Sequence, residues 1–260
     1  MSCNGTTDHE LPLRNIKLII AYDGTDFSGW QRQGNERTVQ GILEGALAKL
    51  HKKPVALTGS GRTDSGVHAA AQVANFYTDI RSMAAGRFVP ALNSILPHDV
   101  RVLGASETRQ DFHARYDAKL RTYRYYFITQ REALPWELRY AWHLRRQPDM
   151  GRINEYARYF RGEMDCTAFA VPGDKSKTRS RYISGASFFF EGDKLVFEIS
   201  ANAFLWKMVR SIAGTLIRFD EKNISPGDLA DVIKSRDRAL TGPTAPPEGL
   251  FLWRVEYYRE

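Results

Sequence analysis

The chain has 260 residues, 43% hydrophobic and 26% charged, which is the balance of a folded globular protein and excludes bulk disorder. Lysine and arginine number 37 against 30 aspartate and glutamate, a net charge of +7 that favours a polyanionic partner over an acidic one. No apolar run approaches the roughly 20 residues that span a bilayer. Two cysteines, Cys3 and Cys166, cannot build a disulfide framework, so a soluble protein of the cytoplasm is expected.

Residues 1–14 are polar, lack the apolar segment of a signal peptide and read as a tail. A strand is predicted over 14–22, where Ile16, Leu18 and Ile20 alternate ahead of the turn Asp23-Gly24. A helix over 38–50 follows, with Thr38 as its cap and Val39, Ile42, Leu43, Ala46, Leu47 and Leu50 on one face. Strands over 55–58 and 72–77 flank a glycine-containing loop. A helix over 84–95, interrupted by Gly86 and Pro90, and a strand over 100–107 complete a split βαβ pattern.

The second half repeats the theme. Strands are predicted over 119–128, 183–191, 194–201 and 250–258, and helices over 153–160, 204–219 and 226–234. The expected fold is α+β, with two ferredoxin-like halves of mainly antiparallel sheet joined around a central cleft. The halves run over 15–110 and 111–260.

The charge is unevenly spread. Residues 109–146 carry Arg109, Arg115, Lys119, Arg121, Arg124, Arg131, Arg139, Arg145 and Arg146 against Asp111, Asp117, Glu132 and Glu137. Aromatic residues are interleaved with them, including Phe112, Tyr116, Tyr123, Tyr125, Tyr126 and Trp142. A second cluster, Lys175, Lys177, Arg179 and Arg181, follows Pro172-Gly173. Such interleaving suits RNA, because cations neutralise phosphates while aromatic faces stack on unpaired bases. The same pattern also fits a basic strand whose aromatics face the core.

The loop Gly59-Ser60-Gly61-Arg62-Thr63-Asp64-Ser65-Gly66-Val67-His68 presents one carboxylate beside one guanidinium. It lacks the Gly-Lys-Ser/Thr ending of a phosphate-binding loop, and a strand follows it where a dinucleotide fingerprint needs a helix. On local chemistry Asp64 is either a reactive carboxylate or the side chain of an Asx turn. The six histidines show no metal-ligand spacing, and the clustered acidic pairs of a two-metal nuclease are lacking. His68 reads as structural, and Asp23 and Asp26 read as turn formers.

Gly61-Arg62-Thr63-Asp64-Ser65-Gly66-Val67-His68-Ala69 resembles the catalytic loop of the TruA family of tRNA pseudouridine synthases, GRTD-x-GVHA, without a mismatch. Four further blocks resemble that family in order: residues 22–33, Asp111-Phe112-His113-Ala114-Arg115 with Tyr123-Arg124-Tyr125, Ala201-Asn202-Ala203-Phe204-Leu205 with Met208-Val209-Arg210, and 245–250.

The resemblance implies an isomerase that converts uridine to pseudouridine at positions 38–40 of the tRNA anticodon stem-loop. It implies a homodimer, no membrane, no cofactor and no required metal. By the same resemblance Asp64 is the catalytic carboxylate and Arg210 its cationic partner, since a carboxylate enclosed away from water is costly unless paired. Tyr123 stacks on the target base and assists proton transfer. Arg62 holds phosphate or fills the gap left by the extruded base, and Leu250 lines the pocket. The catalytic loop then belongs to the first half and the basic RNA-binding surface to the second. The alternative is a catalytically inactive RNA-binding or chaperone module of the same fold. The segment 172–182 is more basic than the family pattern, and residues 1–14 have no counterpart in it.

Overall fold

The computed structural model describes residues 12–129 and 132–258, so Cys3, Arg131 and most of the predicted tail lie outside the described residues. Alternation sets the first strand, β1 (Arg14–Tyr22). Ile16, Leu18 and Ile20 are fully buried, while Ile19 on the other face is 39% exposed. The helix α1 (Val39–His51) begins where the Thr38 hydroxyl accepts the Gly41 N–H. It buries Val39, Leu43, Ala46 and Leu47 and ends at Lys52 in the left-handed region. Fully burying each such Leu or Val side chain contributes about 1.5–3 kcal/mol.

The first half continues through β2 (Thr58–Gly59), β3 (His68–Thr78), α2 (Phe88–Asn93) and β4 (Val100–Thr108). Its strands lie in the order β4-β1-β3-β2, every neighbouring pair antiparallel. The second half runs β5 (Ala118–Ile128), β6 (Trp142–His143), α3 (Met150–Arg158), β7 (Gly162–Asp165), β8 (Ser180–Glu191), β9 (Lys194–Ala201), α4 (Met208–Glu221), α5 (Pro226–Ser235) and β10 (Leu250–Tyr257). Here β10-β5-β9-β8 is again antiparallel throughout and repeats the split βαβ order of the first half.

The two halves share one sheet. β10 pairs in parallel with β3 through Phe251–His68 and Leu252–Ala69, giving the path β4-β1-β3-β10-β5-β9-β8-β7. The last strand of the chain therefore lies at its centre, beside the residue that follows the glycine-containing loop. Tyr125, Phe127, Phe197 and Ile199 join the main core. Tyr126, Ile128 and Val196 alternate onto the opposite face, in a smaller cluster with Ala141.

Several boundaries differ from those expected on the sequence. The strand expected over 55–58 shrinks to Thr58–Gly59, because Val55 and Leu57 are buried without a ladder partner. The helix expected over 84–95 is a 3-10 turn, Ala85–Arg87, followed by α2, with Pro90 in the first turn where its missing N–H costs nothing. The helix expected from 204 starts at Met208, because Lys207 sits at φ 58°, which no helix interior accommodates. The short strands β6 and β7 carry too few residues to show an alternation.

Candidate active site

Asp64 sits in the loop between β2 and β3, and the residues after β1 cradle that loop. The Trp30 N–H donates to Thr63 O at 3.1 Å, the Gly66 N–H to Phe27 O at 3.3 Å, and the Ser65 hydroxyl to Phe27 O at 3.2 Å. The contact leaves no room for side chains. A Cβ on Gly29, which has φ +90°, would stand 2.6 Å from Thr63 O, and one on Gly24 would stand 2.0 Å from Val67 O. Tyr22 adds a hydrogen bond between its hydroxyl and Thr63 Oγ1 at 2.8 Å. Burial pushes the Tyr22 phenol pKa well above its ordinary value.

Arg210, in the first turn of α4, donates from Nη1 to Asp64 Oδ2 at 3.2 Å and from Nε to Ala245 O at 2.8 Å. The Ala245 N–H returns to Arg210 O at 3.0 Å, so the segment that leads into β10 fixes the guanidinium against the carboxylate. The two side chains are 12% and 19% exposed, so water is largely but not wholly excluded from the pair.

Tyr123, on β5, is buried, and Phe204 meets its ring edge-on at 5.1 Å and 86°. Burial first, and the Asp64 negative charge second, raise its phenol pKa, so it stays protonated. A carboxylate fixed by a guanidinium and a neutral phenol thus lie close to one another. That set can attack or deprotonate a substrate and donate a hydrogen bond to it.

Asp64, Tyr123 and Arg210 are brought together. Arg62 is exposed on the same loop and makes no ion pair among the described residues. Leu250 is buried at the start of β10, in register with Tyr125, while Leu252 is the partner of Tyr123. His68 is fully buried, accepts the Gly24 N–H on Nδ1 and stacks on Phe251 at 4.5 Å. Burial lowers its pKa, in keeping with a structural role. Among the described residues no group of three or more His, Cys, Asp or Glu side chains could hold a metal ion, and no helix is long and apolar enough to cross a membrane.

The basic stretch divides in a way its composition does not show. Arg121 is bound to four backbone carbonyls: Ala118 at 3.0 Å, Asn202 at 2.6 Å, Ser60 at 2.9 Å and Arg115 at 2.6 Å. It ties the start of the Asp64 loop to β5, and burial lowers its pKa. Arg124 pairs with Glu198 and Glu191 and lies 4.2 Å from the Trp253 ring. Arg181 is buried against Thr178 O and Ser180 O. None of these three faces a polyanion.

Arg115, Lys119, Arg145, Lys175 and Lys177 remain exposed. Phe112, Tyr123, Tyr125, Tyr126 and Phe127 are buried, whereas Tyr116 and Trp136 are 76% and 66% exposed. The sequence did hold a signal for Arg121: period-two alternation puts it on the same face of β5 as Tyr123 and Tyr125.

A family model described as tRNA pseudouridine synthase matches residues 18–117 and 156–258. A protein of Treponema denticola named tRNA pseudouridine synthase A is 56% identical over 249 residues, covering 94% of this chain and 93% of its own. Proteins of the same name are 40% identical in Caldicellulosiruptor saccharolyticus, over 94% of this chain and 100% of theirs, and 41% identical in Brachyspira hyodysenteriae, over 95% and 100%.

Proposed function

The chain belongs to the tRNA pseudouridine synthase family, and from that premise we propose that it isomerises uridine to pseudouridine at positions 38–40 of the tRNA anticodon stem-loop, with Asp64 as the catalytic carboxylate. The observation that carries this reading is the 3.2 Å pair of Arg210 and Asp64 beside the Tyr123 phenol. The reaction breaks the N1–C1′ bond of uridine, turns the base and joins C5 to C1′. The C5 proton leaves and N1 gains one, so atoms and charge balance without oxidant or water.

A charged carboxylate at the sugar–base linkage serves the bond-breaking stage. Arg210 holds it oriented through the 3.2 Å contact. Tyr123 gives the turned base an aromatic wall, and its protonated hydroxyl gives a hydrogen-bond donor. Arg62, exposed two residues before Asp64, takes a phosphate or the place of the extruded base, whose removal from a helix costs a few kcal/mol. Leu250 is assigned to the pocket wall on the resemblance alone.

In the same reading residues 15–110 form the domain that carries Asp64, and residues 111–260 form the one that carries Tyr123 and Arg210. The protein works as a cytoplasmic homodimer that needs no metal. The test is to incubate unmodified tRNA transcripts with the protein and map pseudouridine along them. New pseudouridine confined to 38–40, unchanged by chelator, is the expected result. Tight tRNA binding with no new pseudouridine would replace this reading with an inactive RNA-binding module.

A further inference from the structure

The loop 109–117, between β4 and β5, is anchored far more firmly than its exposure suggests. The buried Asn15 amide donates to Arg109 O at 3.0 Å and Phe112 O at 2.9 Å, and the buried Asn75 accepts the Ala114 N–H at 3.0 Å. The Tyr257 hydroxyl holds Ala114 O at 2.7 Å, and Arg121 holds Arg115 O at 2.6 Å. Within the loop, His113 Nδ1 accepts the N–H groups of Arg115 and Tyr116 at 3.2 and 3.3 Å, which places the ring proton on Nε2.

On this rigid base Tyr116 is 76% exposed, its ring stacked on His113 at 4.2 Å and 29°. The Arg115 guanidinium lies 5.8 Å from the ring centroid and makes no ion pair among the described residues. An aromatic ring gains free energy by leaving water, so a loop that holds one in solvent, face open and cation alongside, is shaped for a planar anionic partner. Unpaired nucleotides fit that description, because every base offers a π-face and every linkage a phosphate. The platform also adjoins the Asp64 loop. One Arg121 Nη2 atom donates both to Arg115 O and to Ser60 O, four residues before Asp64.

We propose that Tyr116, backed by His113 and flanked by Arg115, is a stacking platform for an unpaired nucleotide of the RNA substrate, outside the pocket that takes the reacting uridine. This rests on the RNA-modifying reading above. The test measures binding of the full-length protein to a tRNA transcript, to a synthetic RNA hairpin with an unpaired loop, and to a perfect RNA duplex. Tyr116→Ala is expected to weaken binding to the tRNA and the hairpin by about 5- to 150-fold, and to leave duplex binding within about twofold. Tyr116→Trp, which keeps a flat face and loses the hydroxyl, is expected to bind like the unsubstituted protein.

Equal losses on hairpin and duplex, or no loss on either, would overturn the platform. If the unsubstituted protein makes pseudouridine while Tyr116→Ala binds unchanged, the platform alone fails. If the unsubstituted protein neither binds nor modifies tRNA, the RNA-modifying reading fails and the platform with it.

Discussion

Arg210 reaches across 146 residues of sequence to place Nη1 3.2 Å from Asp64 Oδ2, while its Nε holds the carbonyl of Ala245. The guanidinium fork is thus used twice, for charge and for position, and a lysine ammonium cannot reproduce both contacts at once. A hydrogen bond to a charged group contributes about 1.5–3 kcal/mol, so Arg210→Met is expected to lower kcat by roughly 10- to 150-fold with little change in KM for tRNA. Arg210→Lys should fall between the two. Steady-state kinetics on tRNA transcripts read this directly.

Gly29 touches the backbone that carries Asp64. Its φ of +90°, and the 2.6 Å that would separate an added Cβ from Thr63 O, predict strain in Gly29→Ala, which only a shift of the loop relieves. A cost of about 1–3 kcal/mol lowers Tm by roughly 2–12 °C for a chain of this size. The rate should fall further than tRNA binding. Gly45, in α1 with nothing near a Cβ, is the control: Gly45→Ala is expected to raise Tm slightly.

Three buried phenols, Tyr22, Tyr123 and Tyr125, and the partly buried Tyr257 have pKa values raised chiefly by burial. Below about pH 10 the folded and unfolded chains both keep these protons, and the stability is fully present. Above it the unfolded chain releases protons that the folded chain retains, so stability falls as pH rises. Tm is therefore expected to hold steady to about pH 9 with respect to these groups and to decline beyond about 10. Tyr22→Phe should make the decline shallower.

Arg121 meets four carbonyls and no carboxylate. Arg121→Met removes every one of those donors, and Arg121→Lys keeps only part of the set. Both are expected to lower Tm, Met more than Lys, because groups left unsatisfied cost about 1–3 kcal/mol of stability. A Tm unchanged in Arg121→Met would mean that the Asp64 loop is held by its cradle alone.

Local patterning carried the secondary structure well where it was long. β1, α1 and the hairpin of β8 and β9 follow from alternation, helical spacing and a glycine turn. The insertion of β10 between β3 and β5 was not legible, because two parallel residue pairs, 183 residues apart, leave no local trace. The candidate site was legible as a set of motifs, and the structure brings Arg210 to 3.2 Å from Asp64. What the motifs did not reveal is the support beneath them. Arg121 and Arg124 look like phosphate ligands when only charge is counted, yet Arg121 is taken up by four backbone carbonyls and Arg124, on the other face of β5, by Glu191 and Glu198. Tyr116 and Tyr123 are equally aromatic in sequence, yet one is a solvent-facing ring and the other part of the core.

The most direct test is Asp64→Asn, which keeps the side chain's shape and removes its charge. Pseudouridine formation and tRNA binding are measured on the same preparation. The account predicts no pseudouridine above the enzyme-free background, with the tRNA Kd within about threefold of the unsubstituted protein. Full pseudouridine formation by Asp64→Asn would contradict it.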